Sequence, residues 1–556
     1  FLPANVEVFV LPGTTILEAA NRAGIILALP CGGKGTCGKC RIKVQEGSFD
    51  YTSAEQERLT LAEQQQGIHL ACQARIFEPC VIQIIPDALA SQWQVLTGSG
   101  DNVTHLAPEI KKEFVVVQEG TLKSAQSDIE RLKQQLKGLE YLDLEAVRAL
   151  PIFLRENRFQ GTFVLAANEL LSWEKGDTTN KCYGVALDIG TTTLVAALLD
   201  LHQGKTLNTV SAPNPQAQFG ADVISRIELV KKERKNLALL NKVLIDKINQ
   251  MIKTLVQQAE ITKEYIYHLV VTGNAVMQHL FLGITPEYLG EIPFPLAFKR
   301  SLNVVAQDLN IAINPRGKVR VYPNIAGFIG GDTVAGILAS EIYQSDKVKL
   351  LVDLGTNGEI VLGNRERLLA ASTAAGPAFE GAKISAGMPG IKGAIEKVII
   401  KKDSSDRETG IFYNVIGNVP PRGICGSGLI DLIAELLRVG IIDFTGRILK
   451  KEELDGNLPE FLLTRIKEDT TQSSFILESD PEPIVLTQRD VREVQLGKGA
   501  IYAGIKILEK QLGIEETQIN EVFLAGGFGN FIRRKNVIEI GLLPDFPPEK
   551  IKYIGN

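Results

Sequence analysis

The spacing of apolar residues divides the chain into four stretches. In residues 1–88, short apolar runs at Val6–Val10, Arg41–Val44 and Val81–Ile85 predict strands around one short helix. That helix is punctuated at both ends. Thr15-Ile-Leu-Glu18 is a capping box, in which hydroxyl and carboxylate satisfy each other's backbone N–H groups, and Gly24 stands where a C-terminal cap belongs. Polar residues around Gly98-Ser-Gly-Asp-Asn102 predict a linker over residues 89–109. Residues 110–178 read as a small middle domain, with a polar helical run from Ser124 to Leu136. From residue 180 onward, apolar strands alternate with glycine turns and amphipathic helices, an α/β texture.

This last stretch repeats itself. Val185-Ala-Leu-Asp188-Ile-Gly-Thr-Thr-Thr193 and Leu350-Leu-Val-Asp353-Leu-Gly-Thr-Asn-Gly-Glu359 are each a strand running into an Asp-x-Gly-Thr turn. Two such hairpins predict two similar lobes, residues 180–345 and 346–556, facing across a cleft.

Composition removes whole classes of function. A chain of 556 residues needs several domains, and 45% hydrophobic with 22% charged residues is an ordinary globular balance. A net charge of −5 argues against nucleic acid as the main partner. No run approaches the roughly 18 apolar residues that span a bilayer, so no membrane partner is expected. The first residues lack a basic stretch followed by an apolar one, so no secretory signal is expected either. Five of the seven cysteines crowd the first hundred residues, which points to metal ligation in a reducing, cytoplasmic compartment.

Cys31, Cys37 and Cys40 form C-x5-C-x2-C, with Cys72 some thirty residues on; the plant-type [2Fe–2S] spacing is one residue shorter in its first gap. Four thiolates must converge on a small charged core, and Gly32, Gly33, Gly35 and Gly38 let the loop wrap it closely. Zinc is the competing ion, but it favours two short-spaced cysteine pairs and only one is present. Cys80 reads as a small buried hydrophobe. The stretch resembles ferredoxin-like β-grasp domains, with Cys31, Cys37, Cys40 and Cys72 at the ligand positions.

The two hairpins carry a second chemistry. Gly190, Thr191, Thr192 and Thr193 in one turn, and Gly355, Thr356 and Asn357 in the other, offer the N–H and O–H donors that a phosphate chain needs. Asp188 and Asp353 at the strand ends suit hydrated Mg2+. Glu521-Val-Phe-Leu-Ala-Gly526-Gly-Phe-Gly529 is a strand opening into Gly526, Gly527 and Gly529, against which an adenosine can lie. In this order the elements resemble phosphate-1, phosphate-2 and adenosine motifs of the ASKHA superfamily of actin, sugar kinases and heat-shock chaperones. That resemblance implies a duplicated ribonuclease-H-like ATPase domain with ATP between the lobes. It also offers Asp332, in Gly330-Gly-Asp332, as a base toward an attacking water, against the simpler role of capping its helix. Gly273 with Asn274, and Gly426 with Ser427, either line the nucleotide or only turn the chain.

A ferredoxin-like domain, a middle domain and an ASKHA domain in this order resemble the reductive activators of corrinoid proteins. The resemblance implies an ATP-dependent enzyme that takes a low-potential electron from an external donor. Through one [2Fe–2S] cluster it reduces the Co(II) corrinoid of a methyl-transfer partner to Co(I). The partner is a corrinoid/iron–sulfur protein or a methyltransferase corrinoid subunit, and the activator a homodimer. The glycine-rich loop Phe379–Gly390 either faces the corrinoid, with Ser385 as a polar contact, or packs beside the nucleotide. Competing assignments are a small-molecule kinase, which has no use for a redox cluster, and an activator of 2-hydroxyacyl-CoA dehydratases. The latter holds a [4Fe–4S] cluster with cysteine pairs, whereas Cys182 and Cys425 stand alone. An actin-like scaffold without redox chemistry is a third.

Overall fold

The computed structural model describes the chain except residues 11, 24, 26, 28–34, 36, 37, 39, 86–105, 122–125, 221, 382, 402–408, 455, 457, 470, 471, 481, 482, 527–531 and 556. The predicted linker therefore lies largely outside the described residues, as do Gly24 and the start of the run at Ser124.

In the N-terminal domain, Arg41–Glu46 is the central strand between Ile68–Leu70 and Val81–Ile84. Helix Ile16–Arg22 opens as expected: Thr15 N–H donates to Glu18 Oε2 at 2.9 Å, and Glu18 N–H returns to Thr15 Oγ1 at 3.2 Å. It packs Ile16, Leu17 and Ala20 against Ile42, Leu70, Ile82 and Ile84. The expected strand at Val6–Val10 does not form. Leu2 takes the place beside Val81–Ile84, donating to Ile82 O and accepting from Ile84 N–H at 2.8 Å each, and Phe9 is left 96% exposed. Two short helices, Ser53–Arg58 and Leu61–Gln65, were not expected.

The middle domain is an antiparallel sheet of Ile110–Val116, Gln160–Ala166 and Glu169–Glu174, covered by helices Asp128–Gln135 and Leu144–Glu156. The first helix starts later than its apolar pattern, because Ser127 and Glu130 close a capping box there. One sheet face packs on those helices through Phe163, Leu165 and Leu170. Ile110, Val164, Ala166 and Leu171 instead pack with Cys182 and Tyr267 of the following lobe.

Beyond residue 180 two lobes have separate apolar cores. The first contains β1 (Tyr183–Ile189), β2 (Thr193–Asp200), β3 (Lys205–Pro213), β4 (Ile266–Gly273), β5 (Leu302–Val305) and β6 (Lys318–Val321), ordered β3-β2-β1-β4-β6-β5. The second contains β7 (Lys349–Leu354), β8 (Gly358–Gly363), β9 (Leu368–Thr373), β10 (Glu521–Ala525) and β11 (Ile551–Tyr553), ordered β9-β8-β7-β10-β11. In each lobe the first three strands form an antiparallel meander, and two later strands, β4 and β6 in the first lobe and β10 and β11 in the second, run parallel to the strand that opens the lobe. The repeat read from two hairpins is thus a repeat of whole sheets; β5 is an added edge strand. Helix α1 (Ala275–Phe281) follows β4, and α2 (Gly331–Ala339) packs on β4 of one lobe and β7 of the other. In the second lobe α3 (Gly426–Val439) packs on strand Ala394–Lys401, and α4 (Gln488–Leu512) crosses β8 and β9. No helix among the described residues is long and apolar enough to cross a membrane.

Candidate functional site

Both Asp-x-Gly-Thr turns sit at the end of the first strand of their lobe. In the first, Gly190 N–H donates to Thr193 O at 2.9 Å, and a Cβ at Gly190 would lie 2.5 Å from that same oxygen, so only glycine fits. The turn is anchored from the side. Thr272, next to Asp188 across the β1–β4 pair, donates its hydroxyl to Asp188 Oδ1 at 3.1 Å. Asn274 accepts from Met277 N–H as N-cap of α1 and donates to Thr191 Oγ1, both at 3.0 Å. Gly273, at φ +142°, lies so close to Ile189 O that a Cβ would approach to 2.6 Å. Gly330 in turn lies against Gly273 O, where a Cβ would come within 2.5 Å. The glycine-rich stretches far apart in sequence are therefore stacked backbones.

Beneath this turn lies Arg226, fully buried, donating to the carbonyls of Thr191 and Gly220 and to Gln216 Oε1. None of these partners is a carboxylate. Burial pulls its pKa down to about 9, which leaves the guanidinium charged at neutral pH behind the first Asp-x-Gly-Thr turn.

The second turn mirrors the first: Gly355 N–H donates to Asn357 O at 3.0 Å. Glu359 on β8 is the register partner of Asp353 and accepts from Ser372 Oγ at 3.2 Å. Gly526, at φ +100°, sits against this strand; a Cβ there would meet Leu354 O at 2.3 Å and Asp353 Oδ1 at 2.9 Å. Gly526 of the expected adenosine element thus lies beside the second turn, while Gly527 and Gly529 lie outside the described residues.

Asp332 enters the same cleft from the first turn of α2, accepting from Thr333 N–H at 2.7 Å. Together with Asp188, Asp353 and Glu359 it concentrates negative charge on the cleft floor. Burial is the main cause that raises all four pKa values; repulsion adds to it for Asp332, Asp353 and Glu359. Asp332 rises to about 6 and Asp353 to about 7. A site that strains against its own carboxylates is suited to a cation. Yet among the described residues no three His, Cys, Asp or Glu side chains converge as a ready-made metal cage.

Glu380, on a 3-10 turn at Pro377–Glu380, escaped the sequence reading. Its Oε1 accepts from Thr356 Oγ1 at 2.9 Å and its Oε2 from Thr192 Oγ1 at 3.4 Å, so one carboxylate joins the Asp-x-Gly-Thr turns of both lobes.

Other expected residues have duties inside the fold. Gly426 lets α3 start against Phe379, whose carbonyl would lie 1.8 Å from a Cβ, and Ser427 donates to Glu396 O at 3.0 Å. Ser385 is exposed, and both its N–H and its hydroxyl donate to Asp490 Oδ1, at 2.8 and 3.1 Å. The histidines are structural where described: His69 faces Glu55, and His279 lies against Ala275 O.

In the N-terminal domain Cys40 Sγ and Cys72 Sγ lie 3.4 Å apart. A disulfide needs about 2.05 Å, whereas thiolates bonded at ~2.3 Å to one tetrahedral metal lie about 3.7 Å apart. The pair therefore fits one iron of a two-iron cluster. Gln73 Nε2 donates to Cys72 Sγ at 3.5 Å. Cys31 and Cys37 lie outside the described residues. Burial raises the thiol pKa of Cys182 to about 11 and also that of Cys425, as expected of packing residues.

Comparison with known proteins fits this layout part by part. Residues 2–76 match a 2Fe-2S iron-sulfur cluster binding domain, 99–180 the RACo linker region, 183–345 the RACo middle region, and 347–556 the C-terminal ASKHA domain of RACo. The corrinoid activation enzyme RamQ of Eubacterium limosum is 33% identical over 99% of this chain and 89% of its own length. The chain belongs to the reductive activators of corrinoid proteins. A solved structure of a reductive activator for corrinoid, iron-sulfur protein shares 36% identity, covers 100% of this chain and 90% of its own, and superposes with a TM-score of 0.72. The [Co(II) methylated amine-specific corrinoid protein] reductase of Methanosarcina barkeri is 25% identical over 67% of this chain and 68% of its own length. The segment matched as the activators' middle region is the first of the two topologically equivalent sheets described above.

Proposed function

We propose that this activator uses ATP to deliver a low-potential electron to the Co(II) corrinoid of a methyl-transfer partner, returning it to Co(I). The observation that carries the reading is one cleft, floored by four carboxylates and rimmed by two phosphate turns, on the same chain as a four-cysteine ferredoxin-like domain. When bound, the [2Fe–2S] cluster supplies the one-electron couple. Cys31, Cys37, Cys40 and Cys72 hold it, and the Gln73 amide, donating to Cys72 Sγ, favours the state with more charge on sulfur.

ATP is needed because the transfer runs uphill. Plant-type clusters sit near about −400 mV. A corrinoid couple about 100–200 mV lower costs roughly 2–5 kcal/mol, within reach of a nucleotide-linked change in how the partner is gripped. Thr191, Thr192, Thr193, Thr356 and Asn357 bind the phosphate chain, with the buried Arg226 charge behind it. Asp188 and Asp353 hold Mg2+ through its waters, as suits an ion that keeps most of its hydration and takes one or two carboxylates. Asp332, protonated or ionised near neutral pH, positions the hydrolytic water. Ser385, exposed at the tip of a loop braced by Asp490, contacts the corrinoid; Ser385→Ala then slows cobalt reduction without changing nucleotide affinity. Family likeness supports a homodimer, which sedimentation tests by mass.

The test is anaerobic: cluster-loaded protein, a low-potential reductant, a Co(II) corrinoid protein and ATP. The Co(I) absorption band should grow only when ATP is present. Equal reduction with and without ATP, or none by the cluster-loaded protein, overturns the proposal.

A further inference from the structure

Glu380 stands where two lobes and two phosphate turns meet. Thr192 belongs to the first turn and Thr356 to the second, 164 residues later by their numbers, and both hydroxyls point their donors at this single side chain. A threonine hydroxyl has one O–H to donate. It therefore cannot serve a carboxylate and a phosphate oxygen at once, and the two anions also repel each other. We propose that Glu380 is the residue by which the cleft senses its nucleotide. Its carboxylate holds the Thr192 and Thr356 hydroxyls, the phosphate chain of ATP takes both donors from it, and its release is passed on to the loop that follows. This rests on the reading of the cleft as the ATP site.

The backbone around Glu380 is built to pass such a displacement on. On one side, the Phe379 carbonyl rests on Gly426, at the start of α3, where no side chain fits. On the other, Gly381 at φ +75° turns the chain so sharply that a Cβ would lie 2.4 Å from Met388 O. Gly387 then comes back against Gly381 O, where a Cβ would approach to 2.2 Å. Residues 381 and 388 are thus in contact, and the intervening loop hangs from Glu380 as a closed unit. Its far end is pinned to strand Gly423–Ile424: Met388 N–H donates to Ile424 O and Ile424 N–H to Ala386 O, each at 2.9 Å. Ser385, near the tip, meets Asp490 at the start of α4. A residue that lets go of both phosphate turns therefore loosens one anchor of this loop and leaves the other in place. Among the described residues Asp188 and Asp332 form no such bridge: Asp188 accepts from Thr272 of its own lobe and Asp332 from Thr333 of its own turn.

The experiment uses the full-length, cluster-loaded protein and Mg·AMP-PNP as the probe, with calorimetry for affinity and hydrogen exchange for the loop. Wild type should bind; failure to bind sinks the cleft as a nucleotide site and is thereby distinguishable from failure of the sensing role. Glu380→Ala, which frees both hydroxyls, should bind about tenfold more tightly, as expected when a competing charged hydrogen-bond acceptor is removed. Glu380→Gln, which keeps an acceptor but no charge, should gain less. In a Thr356→Val background the gain from Glu380→Ala should shrink. Amides of residues 381–390 should exchange faster when wild type binds AMP-PNP, and should already be fast in Glu380→Ala without it. Unchanged or weaker binding by Glu380→Ala overturns the proposal, since Glu380 would then be a ligand of the nucleotide or its cation. Loop exchange indifferent to AMP-PNP overturns it as well. If circular dichroism shows the alanine variant unfolded, the sign of the glutamine variant's change decides.

Discussion

Replacing Asp353 by Asn tests the electrostatics of the cleft directly. Burial, with Asp332 and Asp188 nearby, lifts the Asp353 pKa from an ordinary 3.8 to about 7. The folded protein therefore holds this proton more tightly than the unfolded chain does, so stability falls as pH rises through the window from about 4 to 7. The difference between 3.8 and about 7, at about 1.4 kcal/mol per pH unit, caps the penalty at ~4 kcal/mol. Water reaches the half-buried side chain and the neighbouring acids share the proton, which lowers the expected figure to about 1–2 kcal/mol. Asn keeps the shape and removes the charge. At pH 8, without nucleotide, Asp353→Asn should melt about 2–6 °C above wild type, and its profile between pH 5.5 and 8 should be the flatter one. The same variant should bind Mg·ATP more weakly, because the charge that strains the fold is the one that attracts the cation. Thermal unfolding monitored by circular dichroism across that range checks the first claim, and calorimetry the second. If wild type gains stability from pH 5.5 to 8, or if the variant is no more stable at pH 8, the account of the cleft is wrong.

Three more outcomes follow from single contacts. Asn274→Ala loses a helix cap and the anchor of Thr191 together, so it should cost about 1 kcal/mol of stability and weaken ATP binding several-fold. Asn274→Asp can cap but not donate, so it should recover the melting temperature without the affinity. Cys72→Ala, which leaves no donor atom, should abolish the EPR signal of the reduced [2Fe–2S] cluster in a folded protein, whereas Cys80→Ala should retain it; retention of the signal in the first variant would remove Cys72 from the ligand set. Gly526→Ala forces a side chain to within 2.3 Å of Leu354 O at φ +100°, and should lower both stability and ATP affinity by more than the about 1 kcal/mol of an ordinary glycine substitution.

The two hairpins of the cleft were readable because their signals are local. A strand, an Asp-x-Gly-Thr turn and a second strand occupy about a dozen residues, and both copies fold as antiparallel hairpins. The same locality explains the helix at Thr15–Glu18. It also exposes an omission: Thr52-Ser-Ala-Glu55 and Thr60-Leu-Ala-Glu63 carry the same capping signature and begin the two unexpected helices. The failed strand at Val6–Val10 has another cause. Its alternation is sound, but pairing is decided by competition for one sheet edge, and Leu2 occupies that edge. Glu380, Thr272 and Arg226 were invisible for a related reason. Their roles exist only through partners on other elements: Glu380 meets Thr192 across 188 positions, Thr272 reaches Asp188 by strand register, and Arg226 reaches Thr191 from helix Val223–Lys232.

The join between the middle domain and the first lobe limits which parts can move when ATP binds. Lys318 and Arg320 are spaced by two along β6, so their side chains share a face, and Arg316 stands in the turn just before the strand. Arg316 and Lys318 meet Asp143 and Glu169 of the middle domain at 2.7 and 2.8 Å, and Arg320 meets Glu109, just before that domain, at 2.8 Å. Exposed pairs of this kind contribute little singly, but they rim an apolar layer in which Ile110, Val164, Leu171 and Tyr267 are almost wholly buried. Lys112 sits in that layer against Glu174, which also accepts from the Tyr267 hydroxyl. Separating the two bodies would take the Tyr267 hydroxyl away from Glu174 and expose the apolar layer, a cost of several kcal/mol. The two lobes keep separate main cores, and across the cleft stand α2, which with Ile342 packs through Ile337 on Leu351, Val361 and Phe523 of the second lobe, and the Glu380 bridge. The middle domain and first lobe should therefore move as one body, and the change driven by ATP should be the second lobe moving against them. Cross-linking the middle domain to β6 through paired cysteines should leave ATP-dependent cobalt reduction intact, and a similar link between the turns at Thr192 and Thr356 should stop it.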